Sequence, residues 1–243
     1  MIRILPALLI ILGCNEPLTS ERTALVAVAS NFASTANKLV NVFEKETNYR
    51  IKLAIGSTGK HFAQIQNGAP YDAFLAADKE RPKILEQTDL AQTDSRFTYA
   101  HGRLTLWSPQ SDLVDANGNI LFSDMFKHLA IANPRLAPYG RAAEELLLQR
   151  GQWDALKPRL VQGENIAQTL LFVDSGNAEL GLVATAHVKD RDGSHWLVPE
   201  EMHNPIEQQA VLLTSQPAAH AFLEFLKTKR AQKIILTDGY SVP

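Results

Sequence analysis

Between Ala24 and Gln87 the chain alternates three times between a short apolar run and a segment of helical spacing, and that alternation limits the folds open to it. Ala24-Leu-Val-Ala-Val-Ala29 has the composition of a buried strand. Ser30 and Asn31, both good helix caps, come next. Phe32, Ala36, Leu39, Val40 and Phe43 then recur at helical spacing, which predicts a helix over about 32–46. After a break at Thr47-Asn48, Tyr49, Ile51, Leu53 and Ile55 alternate as a second strand. The turn Gly56-Ser-Thr-Gly-Lys60 opens a helix over about 59–67 that stops at Gly68. Asp72-Ala-Phe-Leu-Ala-Ala77 is a third strand, and Asp78 can cap a helix over about 80–87. A β-α-β-α-β-α order predicts a parallel sheet with helices on both faces and a ligand beyond the C-terminal strand ends. Ser30-Asn31 and Ser57-Thr58 both stand at such ends. A hydroxyl-rich turn that opens a helix aims backbone N–H groups and a positive dipole end at one point, where an anion can sit. Helix capping alone is the alternative reading of Ser30, Asn31 and Ser57.

The 243 residues are enough for two lobes of about 100 residues each. Phe97–Ser108 is a long strand-like run broken by Gly102, a candidate crossing between lobes. Ile120–Phe126 reads as a short helical segment, Leu129-Ala-Ile-Ala132 as a strand, and 133–140 as a loop before a helix that runs to about Arg150. Trp153–Leu160 is a short helical and surface piece. Gly163-Glu-Asn165 is a capped start for a helix over about 166–175, with Ile166, Leu170 and Val173 on one face. Gly181–Ala184 is a strand, Asp190–Ser194 a turn cluster, and Gln209–Leu213 a strand able to return to the first lobe. Two helices, over Ala218–Lys227 and Ala231–Leu236, end the chain.

Several chemistries are excluded. Net charge is −2 and Lys/Arg do not cluster, so nucleic acid is not an expected partner. Local donors and dipoles, not the overall field, would have to hold an anion. Cys14 is the only cysteine, and the seven histidines never fall three or four apart, so no disulfide or helical metal-ligand pair is available. Gly56-Ser-Thr-Gly-Lys60 departs from a nucleotide-binding P-loop. That motif needs four residues between its glycines and a hydroxyl residue after Lys; here there are two, and then His61. No Gly-x-Ser-x-Gly elbow or activated nucleophile is present, and an enzyme is not expected.

Residues 1–14 read as a leader, with a basic start at Arg3 and an apolar run over Ile4–Leu12 that suits a secretory h-region. Ile11-Leu12-Gly13-Cys14 resembles the lipobox of bacterial lipoproteins, which implies cleavage before Cys14 and a lipid on its sulfur. The alternative is a plain signal peptide with an incidental cysteine. Residues 15–23 form a polar tether. Either reading exports the protein, and Cys14 is its only route to a membrane.

The loops picked out above recur as a set. Val26–Phe32, Gly56–Lys60, Gly68–Phe74, Ala77-Asp78, Ile131–Ala143, Gly163–Gln168, Gly176–Gly181 and Pro205–Leu212 together resemble the periplasmic molybdate-binding proteins of ABC importers, in order over about residues 24–240. Asn133-Pro-Arg-Leu-Ala-Pro-Tyr-Gly140 and Gly163-Glu-Asn-Ile-Ala-Gln168 are the most specific pieces. The resemblance implies an α/β, type II periplasmic-binding-protein fold, with two Rossmann-like lobes joined by two crossing strands. Lobe I would comprise 24–100 and 207–243, and lobe II 101–206. It also implies a monomer that carries molybdate or tungstate, as ligand and not as cofactor, to the permease and ATPase of an importer. Sulfate or thiosulfate is the alternative ligand. Neutral donors would hold the oxyanion: Ser30 and Ser57 through hydroxyl and backbone N–H, Asn31 as their polar neighbour, and Tyr139 through backbone and phenol. Ile166 would add its N–H, and Thr58 is the alternate to Ser57. Lys60 and Arg141 would be rim charges. Some family members place a tyrosine where this chain has Ala184; the Tyr139 hydroxyl is expected to take its place.

Overall fold

The computed structural model describes residues 22–243. The leader, Cys14 and most of the expected tether lie outside the described residues, and Thr23 belongs to the first strand instead of the tether. In chain order the first half contains β1 (Thr23–Ala29), α1 (Ala33–Glu46), β2 (Arg50–Gly56), α2 (Thr58–Gln66), β3 (Ala73–Leu75), α3 (Glu80–Gln87), β4 (Phe97–Gly102) and β5 (Leu104–Ser108). Then follow β6 (Leu129–Ala132), α4 (Pro138–Gln149), α5 (Trp153–Leu156), β7 (Leu160–Gly163), α6 (Ile166–Asp174) and β8 (Leu180–Ala184). The chain finishes with α7 (Thr185–Val188), β9 (Ser194–Leu197), β10 (Ile206–Leu212), α8 (Pro217–Leu226) and α9 (Lys229–Thr237).

These strands build two sheets of the same plan. The first has the order β2-β1-β3-β10-β4 and the second β7-β6-β8-β5-β9. In each, three strands are parallel, one crossing strand runs antiparallel to them (β10 in the first sheet, β5 in the second), and the edge strand beyond it (β4 or β9) pairs antiparallel with that crossing strand. The three strands read from the alternation, β1, β2 and β3, are parallel as expected, and the whole sheet is mixed because β10 joins it. The cause is the chain's double passage between sheets: β4 leaves the first sheet at Gly102 and continues after Arg103 as β5 of the second, and β10 returns. A strand that returns from the other lobe enters reversed, so it pairs antiparallel.

Smaller differences have local reasons. The third strand is only Ala73–Leu75, and the Asp72 carboxylate before it accepts from the Leu25 N–H (2.8 Å) and the Thr214 hydroxyl (2.8 Å). Before α1, Ser30–Phe32 forms a 3-10 turn. The helical segment expected over Ile120–Phe126 is a 3-10 turn at Asn119–Phe122. Pro138 opens α4 at its first turn, where its missing N–H costs nothing. Each lobe buries its own apolar side chains. Phe32, Leu39, Phe43, Phe74 and Phe222 fill the first, and Leu106, Leu129, Leu146, Leu180 and Trp196 the second. The second core reaches across to Ala29 and Ala77, so the lobes meet along the strand ends.

Candidate functional site

The two sheets bring four strand ends to one place. Ala29 and Gly56 are register partners at the ends of β1 and β2, so Ser30-Asn31 and Ser57-Thr58 emerge side by side. Ala132 and Gly163 are partners at the ends of β6 and β7, which sets the loop to Tyr139 beside the loop to Ile166. The two pairs face each other. The Ala167 N–H points at Ser30 Oγ (3.4 Å), the Gly59 N–H donates to the Leu136 carbonyl (2.8 Å), and Arg81 Nη2 donates to the Arg135 carbonyl (3.1 Å). His187 Nε2 lies 3.0 Å from the Asn31 carbonyl. All six predicted ligand residues, Ser30, Asn31, Ser57, Thr58, Tyr139 and Ile166, are no more than 4 % exposed.

Burial of so many polar groups requires that each be satisfied or reserved for a ligand. Ser57 caps α2, its Oγ accepting from the Lys60 N–H (3.3 Å), and its hydroxyl proton stays free to point elsewhere. The Thr58 hydroxyl is drawn inward to accept from the Ala77 N–H (3.1 Å). Asn31 turns its Nδ2 to Gln208 Oε1 (2.8 Å) and towards Tyr240 Oη (3.4 Å). Tyr139 stands at the second position of α4 and Ile166 at the first of α6, where helix geometry provides no intrahelical acceptor for an N–H. The Tyr139 phenol is buried with no hydrogen-bond partner among the described residues. Burial, then the nearby Tyr240 and Tyr99 hydroxyls, hold its pKa well above the ordinary phenol value, while the Asn31 and Gln208 amides pull the other way. It is a neutral donor at any physiological pH.

Cations stay at the margin. Lys60, half exposed, pairs with Glu164 across the rim (2.5 Å). Arg81 pairs with the buried Asp78, whose pKa burial raises against the opposing pull of that guanidinium. A groove of about 280 Å³ runs beside the donors, lined by Asp78, Lys79, Glu80, Arg141, Glu145 and Asn204, and its charges are mixed. No cluster of His, Cys, Asp or Glu suited to a metal ion occurs among the described residues. Ala184 ends β8 fully buried, with no phenol to offer. Sequence reading did not pick out Tyr99, Gln208, Tyr240 or His187 for this site. Of these only Gln208 had a signal, an uncharged polar residue in a strand that ends in the apolar run Ala210-Val-Leu212.

Two lobes with matching topology, closing neutral donors from four strand ends around one buried point, define a solute-binding protein for a small anion. The family model described as "Bacterial extracellular solute-binding protein" matches residues 24–241. The chain is 45 % identical over 224 residues to the "Molybdate-binding protein ModA" of Azotobacter vinelandii, covering 89 % of each. It is 40 % identical over 238 residues to the protein of the same name in Rhodobacter capsulatus, covering 96 % of this chain and 94 % of that one. The solved structure of the Azotobacter vinelandii periplasmic molybdate-binding protein superimposes with a TM-score of 0.88 at 38 % identity, over 90 % of this chain and 99 % of that one. The chain belongs to the bacterial extracellular solute-binding proteins, and within them to the ModA family.

Proposed function

We propose that this protein captures molybdate, and tungstate with it, in the cleft between its lobes and delivers it to an ABC importer. The observation that carries this reading is the set of buried, uncharged donors converging from both sheets while every nearby cation is paired or at the rim. In this reading Ser30 and Ser57 donate through hydroxyl and N–H, Tyr139 through N–H and phenol, and Asn31 and Ile166 through backbone N–H. Thr58 is the alternate to Ser57 in the same turn, its Oγ1 accepting from the Ala77 N–H. Residues 24–100 and 207–243 move as one lobe and 101–206 as the other. The anion is cargo, not a cofactor, and the chain performs no chemistry on it. We place the mature protein outside the cytoplasm as a monomer, tethered through a lipid on Cys14.

Hydrogen bonds to a charged group contribute about 1.5–3 kcal/mol each. Six or seven aimed donors therefore outweigh dianion desolvation only if all of them reach the oxygens together. That condition makes size the basis of selection: a smaller tetrahedron loses some contacts. It also explains closure, since donors divided between lobes bind fully only in the closed form and shift the population towards it. Competition calorimetry over molybdate, tungstate, sulfate and phosphate tests the reading. Tight binding of the first two and weak binding of the others is expected; equal affinity for sulfate and molybdate overturns it.

A further inference from the structure

Gln208 lies on β10, the returning crossing strand, and is completely buried. The register of β10 against β4 shifts between Gln208 and Gln209, from Gln208↔Ala100 to Gln209↔Thr98. Such a bulge re-aims a side chain. Here the extra residue is Tyr99 on β4, opposite Gln208 and Gln209, and the two glutamines reach different neighbours. Gln209 is held by Arg96 Nη1 (2.8 Å) and Thr98 Oγ1 (3.0 Å). Gln208 is sent to the strand ends of the cleft.

The hydrogen bonds around Gln208 have a direction. The Tyr240 hydroxyl donates to the Asn31 carbonyl (2.6 Å), so its oxygen is left to accept from Asn31 Nδ2 (3.4 Å). The Asn31 amide is thereby oriented, and its second Nδ2 proton goes to Gln208 Oε1 (2.8 Å). The Tyr99 hydroxyl shares its one proton between the same oxygen and the Ala76 carbonyl (3.1 Å to each). With Oε1 held by the Asn31 amide, Gln208 Nε2 faces the other way, and it is buried without a partner among the described residues. The Tyr139 hydroxyl is the second orphan of the same kind. Both atoms approach one point. A Cβ on Gly102 would stand 2.1 Å from Tyr139 Oη and 3.0 Å from Gln208 Nε2. Only glycine leaves this corner open for the two groups to meet.

A phenol has one proton to give and lone pairs with which to accept. Resting on the oxyanion reading above, we propose that Gln208 is a positioning residue that sets the polarity of Tyr139. Its Nε2 supplies a proton to the phenol oxygen, so the phenol's own proton is left for the anion. An amide turned the other way would present Oε1, take that proton, and set a lone pair against a dianion. The relay Tyr240, Asn31, Gln208, Tyr139 fixes which way round the last donor stands, although none of the first three need touch the ligand with its side chain.

A double-mutant cycle tests this. Molybdate affinity is measured by calorimetry for wild type, Gln208→Met, Tyr139→Phe and the double variant, with melting of each in the absence of ligand. Gln208→Met is expected to weaken molybdate binding by about tenfold, the scale of one net hydrogen bond. In the Tyr139→Phe background the same change is expected to cost less than about twofold. An equal loss in both backgrounds overturns the inference, because a merely structural glutamine would act regardless of the phenol. If Gln208→Met does not fold, Gln208→Asn keeps a buried amide but withdraws it by one methylene, and it enters the same cycle with the same two outcomes. Wild-type protein that fails to bind molybdate refutes the oxyanion reading instead, and is seen before any variant is compared.

Discussion

Single atoms at the Ser57–Gly59 turn carry separable tasks. Ser57 Oγ accepts the Lys60 N–H as the cap of α2, and in the proposed site its proton goes to the anion. Replacing a capping Ser by Gly costs only a few tenths of a kcal/mol, against about 1 kcal/mol for Ala. Ser57→Gly is therefore expected to melt within a degree or two of wild type, yet bind molybdate at least about tenfold more weakly, as the loss of a charge-assisted bond requires. Wild-type affinity in that variant removes Ser57 from the site. Gly59 makes the opposite case. A Cβ there would lie 2.9 Å from both Leu136 Cα and the Leu136 carbonyl, backbone atoms of the facing lobe that cannot step aside while the lobes are closed. In the open lobe the same methyl meets no such obstacle, and Ala is favoured over Gly within a helix by up to about 1 kcal/mol. Gly59→Ala should accordingly raise the melting temperature of ligand-free protein and weaken molybdate binding. Scanning calorimetry and titration of one preparation give both signs, and an unchanged affinity shows that closure does not need the Gly59–Leu136 contact.

At the level of elements, α7 holds a histidine that reaches across the cleft. His187 Nε2 meets the Asn31 carbonyl at 3.0 Å, and Nδ1 is buried without a partner among the described residues. Burial lowers its pKa from the ordinary 6.5, opposed by the Asn31 and Ser30 backbone and assisted by the charge of Arg191. The groove around it also holds Lys38, Lys189, Asp190 and Asp238; Arg191 is bonded to Asp174 and Lys38 to Asp238. The closed form thus favours neutral His187 and binds fewer protons than a form in which the ring is free. Its contribution is present above pH 6.5 and is lost as pH falls below 6.5 towards the lowered value. Molybdate affinity should decline on acidification through that window, and His187→Gln should flatten the decline. His61 is shifted downward too, by burial first, but it packs inside the first lobe beside Gln64, so it bears on melting more than on affinity. A pH profile left unchanged by His187→Gln dismisses the idea. α7 itself was not legible in the sequence, and neither was β9. In β9 the inward positions are Ser194 and Trp196 and the outward ones His195 and Leu197, so its polarity pattern runs half against the usual alternation. The strand-end turns were legible, because caps after apolar runs are local chemistry. The relay through Gln208 was not, since its links join residues 109 to 209 positions apart.

Over the whole molecule, closure and charge meet in a way that separates two kinds of anion site. The protein carries a net charge of −2, so its overall field does not draw an anion in. Two of the cations near the cleft are paired, Lys60 with Glu164 and Arg81 with Asp78, while Arg141 lines the groove beside the donors. The rim pair is exposed on both sides, and exposed pairs of this kind contribute about 0–1 kcal/mol and fade with salt. The proposed donors are buried and uncharged, and buried interactions are screened far less than exposed ones. Molybdate affinity is therefore expected to change by less than about threefold as sodium chloride is raised from about 0.02 M to 0.5 M, although the screening length shortens several-fold over that range. Lys60→Ala should lower affinity no more than about threefold at low salt, through loss of the Glu164 contact that helps hold the lobes together, and the remaining difference should vanish at high salt. A tenfold or greater loss with salt in wild type, abolished by Lys60→Ala or Arg141→Ala, means that a cation touches the oxyanion. The neutral cage would then give way to a charge-paired one.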